Sequence, residues 1–253
     1  MCTVSWRRDQ QSYDLFFNRD ELNSRAAEQP PIPAQHNGVA YLGPRDGDHG
    51  GTWLLVNEFG LTVCLLNDYS NPWRPPASSP RFSRGQLVLA CAAAENHDAV
   101  FAILRDQPLA QTLPFRLLAF SPTDGPMLIH WQGERLTRHD STSITPPLSS
   151  SSYETDEVVS VRIARFAEYV RTPQKPKLAE LAAYHGQYRQ TSGAHSVLMQ
   201  RPDATTRSIC HVRITGENAE LEYRQTRRTP SGPVLLEPLT FKLPLRLGAS
   251  LAR

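Results

Sequence analysis

A reactive thiol lies near the start of the chain. Cys2 directly follows Met1. Initiator methionine is usually removed when the next residue is small, and removal of Met1 would leave a free α-amine and a thiol on Cys2. An α-amine titrates near about 7.7–8.0 and a thiol near about 8.5, so the amine can act as the base that activates its own thiol. Alternatively, Cys2 only opens a first strand over residues 2–6.

A charged group follows the second apolar segment of the chain. Residues 13–17 end in two phenylalanines, which is typical of a strand. This segment runs into four polar residues, Asn18, Arg19, Asp20 and Glu21. If the two strands pair as a hairpin, Arg19 comes near Cys2, where a guanidinium would lower the pKa of the thiol. The alternative is a solvated strand end or a helix N-cap, with an acidic side chain near the positive helix terminus.

Two further residues have chemistry that suits a binding site. Trp53 follows three residues that let backbones come close or donate hydrogen bonds, namely Gly50, Gly51 and Thr52. The indole could stack on a ligand, or it could belong to the core. Asn67 ends an apolar strand, where its amide could donate to a developing oxyanion or simply form a turn.

Other candidates are weaker. His195 could act as a general base, or it could be a polar surface or capping residue. Ser149 to Ser152 could supply hydroxyl donors, or they could form a flexible loop. The remaining cysteines, Cys64, Cys91 and Cys210, lie in apolar runs and are expected to be buried and inert. Because the four cysteines show no paired spacing, we expect no metal site.

The elements that must position these residues follow from apolar periodicity. Further strands are predicted over residues 39–42, 53–57, 61–66, 115–120, 127–131, 196–200, 207–215 and 219–225. Helices are predicted to begin after Ser83 and Asn96 and to cover residues 158–170 and 177–184. In the third helix we expect Val159, Ile163, Phe166 and Val170 to face inward. Residues 28–35 contain three prolines, which predicts a surface loop.

Composition limits the class of protein. The chain has 253 residues, and the order of predicted elements suits sheets flanked by helices in one domain over residues 1–253. A net charge of +2 argues against a dedicated nucleic-acid binder. No apolar run reaches about 18 residues, so we expect no membrane span, and the N-terminus lacks the pattern of a secretory signal. The scattered cysteines favour a reducing, cytoplasmic location. The sequence leaves the oligomeric state open.

The motifs together resemble a known family. Met1-Cys2-Thr3, combined with Asn18-Arg19-Asp20-Glu21, resembles the NRDE family, which is named for this tetrapeptide and is also described as transport and Golgi organisation protein 2-like. Further resemblance follows in the expected order at Gly50-Gly51-Thr52-Trp53 and over residues 57–62, 65–67 and 83–88. It is dense over residues 1–90 and thin beyond them.

The resemblance implies a fold and an activity. The NRDE family is similar to the N-terminal nucleophile hydrolases, above all choloylglycine hydrolase and penicillin V acylase. That similarity implies an αββα sandwich, an α+β fold of antiparallel sheets flanked by helices, with an N-terminal cysteine that attacks amide bonds. Arg19 and Asp20 are the nearest matches to an Arg and an Asp of those hydrolases, although here they are adjacent rather than separated by two residues. Either Asp20 or Glu21 then holds the acidic role.

Later positions match the hydrolases less well. Where those enzymes have an oxyanion-hole asparagine before a helix, this chain has Ser149 to Ser152. Where they have a late arginine, it has His195-Ser196 or the more distant Arg201.

Two functions follow from these observations. In the first, the protein is an amidohydrolase without a cofactor, and its catalytic residues are Cys2, Arg19, Asp20 and Asn67. The accompanying motif and pocket residues are Asn18, Glu21, Gly50, Gly51, Thr52, Trp53 and His195. In the second, the fold binds or carries a small ligand without catalysis, either haem, with Cys2 as a thiolate ligand to iron, or an acyl lipid. The expected partner is a small-molecule ligand or an amide substrate, and not a nucleic acid.

Overall fold

Two antiparallel sheets lie face to face in the computed structural model, which describes residues 1–10, 12–140, 143–173 and 175–246. The first sheet has the strand order β10 (Leu148–Ser150), β1 (Cys2–Arg8), β2 (Tyr13–Leu22), β11 (Ala204–Ile214), β12 (Asn218–Thr229) and β13 (Gly232–Leu235), with β14 (Leu239–Pro244) also paired to β12. The second sheet follows the chain: β3 (Gln29–His36), β4 (Val39–Arg45), β5 (Leu54–Asn57), β6 (Thr62–Asn67), β7 (Phe115–Ser121), β8 (Gly125–Trp131) and β9 (Leu136–His139).

Helices cover the outer face of each sheet. The helices α1 (Arg84–Ala90) and α2 (His97–Arg105) pack on the second sheet, and α3 (Thr155–Tyr169) and α4 (Leu178–His185) pack on the first. The layers are therefore helix, sheet, sheet, helix, which confirms the predicted αββα sandwich. The predicted cap of α2 also forms, since Asn96 Oδ1 accepts a hydrogen bond of 2.9 Å from the backbone N–H of Ala99.

The central core lies between the two sheets. Val4 and Leu15 of the first sheet and Leu54 and Phe120 of the second are fully buried there. The strands of the second sheet have nearly continuous apolar sequences because their other face is covered by α1 and α2. No helix among the described residues is long and apolar enough to cross a membrane.

The loop predicted over residues 28–35 is wrong. This segment forms β3, although it contains three prolines. In the strand order β3 is an edge strand, and its register shifts between Gln29 and Ile32. An edge strand tolerates proline because the backbone groups on its outer side form no hydrogen bonds with a neighbouring strand. At a register shift, one residue is also left out of the pairing, so a missing N–H there costs no hydrogen bond.

The strand predicted over residues 196–200 is also wrong. The described structure has a 3₁₀ turn at Gly193–His195 and only an isolated bridge between Gln200 and Thr205. The backbone N–H of Leu198 donates instead to the carbonyl oxygen of Gln187. Side chains of β2 and β11 satisfy other backbone groups here, so this apolar stretch packs on the helix-covered face of the first sheet without extending it.

Helix α3 presents a different face from the one predicted. Phe166 and Val170 are buried as expected, but Ile163 is 47% exposed. The inward stripe contains Val158 and Arg162, and the side chain of Arg162 is fully buried. Apolar periodicity missed this register because a charged residue occupies a buried position.

Candidate active site

The pairing of β1 with β2 places Cys2 directly opposite Arg19. Side chains alternate between the two faces of a strand, so residues that share a register position share a face. Cys2 and Arg19 therefore face the second sheet, where Trp53 precedes β5. Thr3 and Asn18 face the helices α3 and α4. The predicted hairpin between the two segments is present.

Cys2 and Arg19 line a cavity of about 370 Å³. The guanidinium carbon of Arg19 lies 4.3 Å from the ring centre of Trp53, within the range of a cation–π contact. Apolar side chains, among them Leu65 and Phe82, form part of the wall. The cavity thus joins a thiol, a cation and an apolar surface at one end of the sandwich.

Carboxylates surround Arg19 and hold it in place. Its guanidinium lies 2.5 Å from Glu28, 2.7 Å from Asp46 and 3.4 Å from Glu21. Burial disfavours the charged guanidinium, but Glu28, Glu21 and Asp46 outweigh that effect and raise the pKa of Arg19. Arg19 is therefore a fixed positive charge beside Cys2.

Asp20 lies next to Arg19 in the chain, but its carboxylate points to the opposite face. One of its oxygens pairs with Arg162 of α3 at 3.0 Å, and the other accepts a hydrogen bond of 2.6 Å from Thr206 Oγ1. Arg162 also donates to Thr3 Oγ1 and to the carbonyl oxygen of Ala194, each at 2.9 Å. The Asp20 and Arg162 side chains are both fully buried.

Sequence reasoning missed Arg162. The sequence offers His195 and Arg201 in place of a late arginine, but Arg162 makes the ion pair with Asp20. The available signal was spacing, because Arg162 lies four residues from both Val158 and Phe166 and so belongs to their buried stripe. A cation at a buried helix position is rare unless it is paired.

Met1 occupies the end of β1 and continues its pairing. The α-amine donates to the carbonyl oxygen of Asp20, and the backbone N–H of Asp20 donates to the carbonyl oxygen of Met1, both at 3.0 Å. The Met1 side chain is buried against Met199 and Ala204. Burial disfavours the charged amine, yet Tyr69, Cys2 and other nearby groups outweigh it and raise its pKa.

The Cys2 thiol is buried while Met1 precedes it. Burial raises the pKa of Cys2, and the positive charges of the Met1 amine and Arg19 oppose this effect without reversing it. Arg19 acts in the predicted direction, but burial outweighs it and keeps the pKa of the thiol raised in the chain that retains Met1. A lower thiol pKa requires a positive charge closer to the sulfur.

Ser149 and Ser150 lie in β10, which pairs with β1 on its other side. Ser150 is opposite Cys2, and Ser149 is opposite Thr3. The Ser149 hydroxyl lies 2.9 Å from Thr3 Oγ1, whereas the buried Ser150 hydroxyl has no hydrogen-bond partner among the described residues. The serine segment therefore borders the site, and Ser150 offers a free hydroxyl on the face of Cys2.

The glycine motif positions the wall of the cavity. A Cβ atom on Gly51 would lie 2.6 Å from the carbonyl carbon of Gly85, so α1 approaches this loop more closely than any side chain permits. The backbone N–H of Thr52 donates to the carbonyl oxygen of Gly85 at 3.1 Å. Thr52 lines the cavity, whereas Gly50 and Gly51 do not.

Of the remaining candidates, Glu21 and Asn67 line the cavity and two others do not. The Asn67 amide donates to Tyr69 Oη at 2.7 Å. Asn18 lies on the opposite face, where its amide donates to the carbonyl oxygens of His185 and Val197 at 2.9 Å. Its position follows from strand alternation, which turns it away from Arg19.

His195 lies outside the cavity, in the 3₁₀ turn beside α3. Its Nε2 atom is 3.2 Å from Glu157. Glu154, Glu157 and His195 have ligand atoms within 4.8 Å of one another, so this surface group is the set of described residues that could hold a metal ion. Both glutamates are exposed, and the group does not line the cavity at Cys2.

Comparison with families and curated proteins gives one match. A family model described as Transport and Golgi organisation 2 matches residues 1–220. No curated protein matches the chain.

Solved structures share the fold at low sequence identity. A variant of conjugated bile acid hydrolase from Clostridium perfringens has a TM-score of 0.57 and 12% identity, covering 98% of this chain and 99% of that chain. Penicillin V acylase from Agrobacterium tumefaciens has a TM-score of 0.55 and 12% identity, covering 96% and 86%. A Caenorhabditis elegans ortholog of N-acylethanolamine-hydrolyzing acid amidase has a TM-score of 0.53 and 8% identity, covering 83% and 92%. The fold is that of the N-terminal nucleophile hydrolases.

Proposed function

The chain belongs to the Transport and Golgi organisation 2 family, and on that premise we propose that it is an amidohydrolase whose nucleophile is Cys2 after removal of Met1. The observation that carries this proposal is the pairing of Cys2 with Arg19 at the wall of a cavity, one residue from the chain start. The solved structures that share the fold are named for hydrolysis or acyl transfer at amides, which supports the same reaction class.

The first step uses both functional groups of Cys2. The sulfur attacks the amide carbonyl carbon, and the α-amine of Cys2 takes the thiol proton. The C–S bond forms while the carbonyl electrons move to oxygen. Collapse of this intermediate breaks the C–N bond, and the amine of Cys2 returns the proton to the leaving nitrogen. Water then attacks the thioester, releases the acid and restores the thiol.

Fixed charges and dipoles favour the charged species in this sequence. Arg19 is held by its carboxylates and stabilises the thiolate. The amide of Asn67 and the hydroxyl of Ser150 are donors for the developing oxyanion. Asp20 supports the site from the opposite face of β2, because its ion pair with Arg162 fixes the strand that carries Arg19.

Removal of Met1 is the activating step. It brings the positive α-amine from Met1 to Cys2 itself, so it lowers the pKa of the thiol, which burial otherwise raises. It also vacates the buried position of the Met1 side chain beside Met199 and Ala204. The Met1-retaining chain is expected to be inactive.

The test compares two forms of the protein, one beginning at Met1 and one trimmed to Cys2 by a methionine aminopeptidase. Intact mass identifies each form. Brief treatment with iodoacetamide at pH 7 should modify the trimmed form once, at Cys2, and at least tenfold faster than the Met1-retaining form. The trimmed form should also hydrolyse long-chain acyl anilides, and the Met1-retaining form should not.

Two variants make the test specific. Cys2→Ala should abolish alkylation and hydrolysis. Cys91→Ala is the matched control, since Cys91 is buried at the C-terminal end of α1 and burial raises its pKa to about 12. Full hydrolysis by Cys2→Ala, or equal alkylation of the two forms, would contradict the proposal.

The second candidate function is binding of a small apolar ligand without catalysis. The apolar part of the cavity wall favours it, and an acyl lipid is the class of ligand that suits that wall. Haem ligation by Cys2 fits less well while Met1 is retained, since the thiol is then only 8% exposed and burial raises its pKa, which disfavours the thiolate that would ligate iron. Saturable binding of a fluorescent fatty acid by a trimmed protein that hydrolyses no amide would favour this alternative.

A further inference from the structure

The charges that line the cavity do not balance. Four arginines and three acidic residues contribute to its wall. The acidic residues are already paired: Asp46 and Glu21 with Arg19 and Arg25, and Asp20 with Arg162. Two of the four arginines on the wall therefore have no acidic partner in the cavity.

The unbalanced charges belong to Arg81 and Arg84. Neither arginine forms an ion pair with any residue that the structure describes. Arg84 is partly buried, and its guanidinium donates to the carbonyl oxygen of Pro114 at 3.2 Å. Burial lowers the pKa of Arg84, which nearby Tyr69, Cys2 and Glu21 offset only in part. A cation that is removed from water without a counter-ion destabilises the folded protein, so its presence points to a ligand that supplies the charge.

The backbone fixes where Arg84 stands. Arg84 is the first residue of α1, and the next residue, Gly85, packs against Gly51 without room for a side chain. The helix start cannot withdraw from the cavity, so the guanidinium is attached to a rigid support. Arg81, by contrast, is exposed and lies at the rim.

The rest of the wall identifies the other half of the ligand. Trp53, Leu65, Phe82 and Leu113 line the same cavity. A ligand that satisfies the whole wall combines one anionic group with an apolar portion. A guanidinium binds a carboxylate through two parallel hydrogen bonds, and a singly charged group matches one partly buried arginine.

We propose that Arg84, assisted by Arg81 at the rim, binds the carboxylate of an amphiphilic amide substrate. That the bound compound is a substrate rests on the proposed hydrolysis, whereas the carboxylate-binding site is inferred from the residues of the cavity alone. It predicts that an amide bearing a carboxylate is preferred over the same amide without one.

A matched pair of compounds tests the proposal. N-decanoyl-4-aminobenzoate carries the carboxylate, and its methyl ester does not. In the Cys2→Ala protein, which cannot turn either compound over, calorimetric titration should give a Kd for the acid about tenfold or more below that of the ester. Arg84→Gln in this background should raise the Kd of the acid about tenfold or more and leave that of the ester unchanged.

Two further variants separate charge from structure. Arg84→Lys keeps the cation and should retain most of the preference. Arg105→Gln removes an exposed arginine outside the cavity and should change neither Kd. Equal binding of acid and ester, no binding of either, or the same loss for both compounds in Arg84→Gln would overturn the proposal.

Turnover by the trimmed protein separates this inference from the proposed function. If selective binding through Arg84 is present but neither compound is hydrolysed, the hydrolase proposal fails and the carboxylate site stands. If both compounds are hydrolysed with equal kcat/KM, the hydrolase proposal stands and the carboxylate site fails. If both are correct, Arg84→Gln raises KM for the acid about tenfold or more with little change in kcat.

Discussion

At the scale of single residues, adjacent positions in one strand serve opposite sides of the first sheet. Arg19 faces the cavity and Cys2, whereas the carboxylate of Asp20 faces α3 and pairs with Arg162. Within the tetrapeptide at residues 18–21, the side chains of Arg19 and Glu21 therefore line the cavity, whereas those of Asn18 and Asp20 contact groups on the opposite face of the sheet. The sequence predicted that these residues belong together, and the period of two in a strand explains why they do not all reach the cavity.

The buried pair of Asp20 and Arg162 should couple stability to activity. Arg162→Met leaves the Asp20 carboxylate buried with Thr206 as its remaining partner, so we expect a loss of about 3–5 kcal/mol in the free energy of unfolding. Urea denaturation measures that loss. We also expect the rate of Cys2 alkylation in the trimmed protein to fall and its pH profile to shift, because loss of the ion pair at Asp20 disturbs the neighbouring Arg19, which lies opposite Cys2.

A double variant distinguishes positioning from simple support of the fold. Asp20→Asn with Arg162→Met removes both charges and should recover part of the lost stability. It should not recover the wild-type pH profile of alkylation. Recovery of stability and profile together would show that the pair supports only the fold.

At the scale of elements, the contact between the glycine loop and α1 determines the shape of the cavity. Gly51 and Gly85 touch through their backbones, and Thr52 donates to Gly85 across the contact. The sequence predicted both the loop and the helix start after Ser83. It did not predict that they touch, since contact between distant glycines has no periodic signature in one sequence.

Gly51→Ala should damage the cavity through this contact. The new Cβ would lie 2.6 Å from the carbonyl carbon of Gly85, so α1 must shift and move Arg84 with it. We expect a loss of about 1–3 kcal/mol in the free energy of unfolding, measured by urea denaturation, with weaker binding of N-decanoyl-4-aminobenzoate.

Gly216→Ala is the matched control for that change. A Cβ at Gly216 meets no atom within 4 Å, so stability and binding should remain near those of the wild type. If Gly51→Ala also leaves both quantities unchanged, the backbone contact does not determine the position of α1.

Predictability differed between the elements for physical reasons. Most strands and helices were foreseen because one or both of their faces are apolar with a clear period. Strand β3 was not predicted, because its prolines are typical of a loop and only its edge position allows them in a strand. Conversely, the apolar residues 196–200 indicated a strand where only an isolated bridge forms. The buried face of α3 includes Val158 and Arg162 in place of Ile163, because the charge of Arg162 is neutralised by a residue 142 positions away.

At the scale of the whole molecule, aromatic side chains join the two sheets. Phe120 of β7 lies 5.8 Å from Trp6 of β1 and 4.5 Å from Tyr13 of β2, measured between ring centres. Tyr13 also donates to the carbonyl oxygen of Gly60 at 2.8 Å, across the same boundary. These contacts predict that the sheets unfold together, as the interpretation of residues 1–253 as one domain requires.

Phe120→Ala tests this cooperativity. Phe120 is fully buried, so truncation should cost about 3–5 kcal/mol and lower the Tm by about 10 °C. Calorimetry should still show one transition, and hydrogen exchange should accelerate in β6 of the second sheet and in β11 of the first. Leu239→Ala, at a side chain that is 46% exposed, should change little. Two separate transitions, or faster exchange confined to one sheet, would mean that each sheet with its helices is an independent folding unit, and the cavity between them would then lie at a boundary between two units.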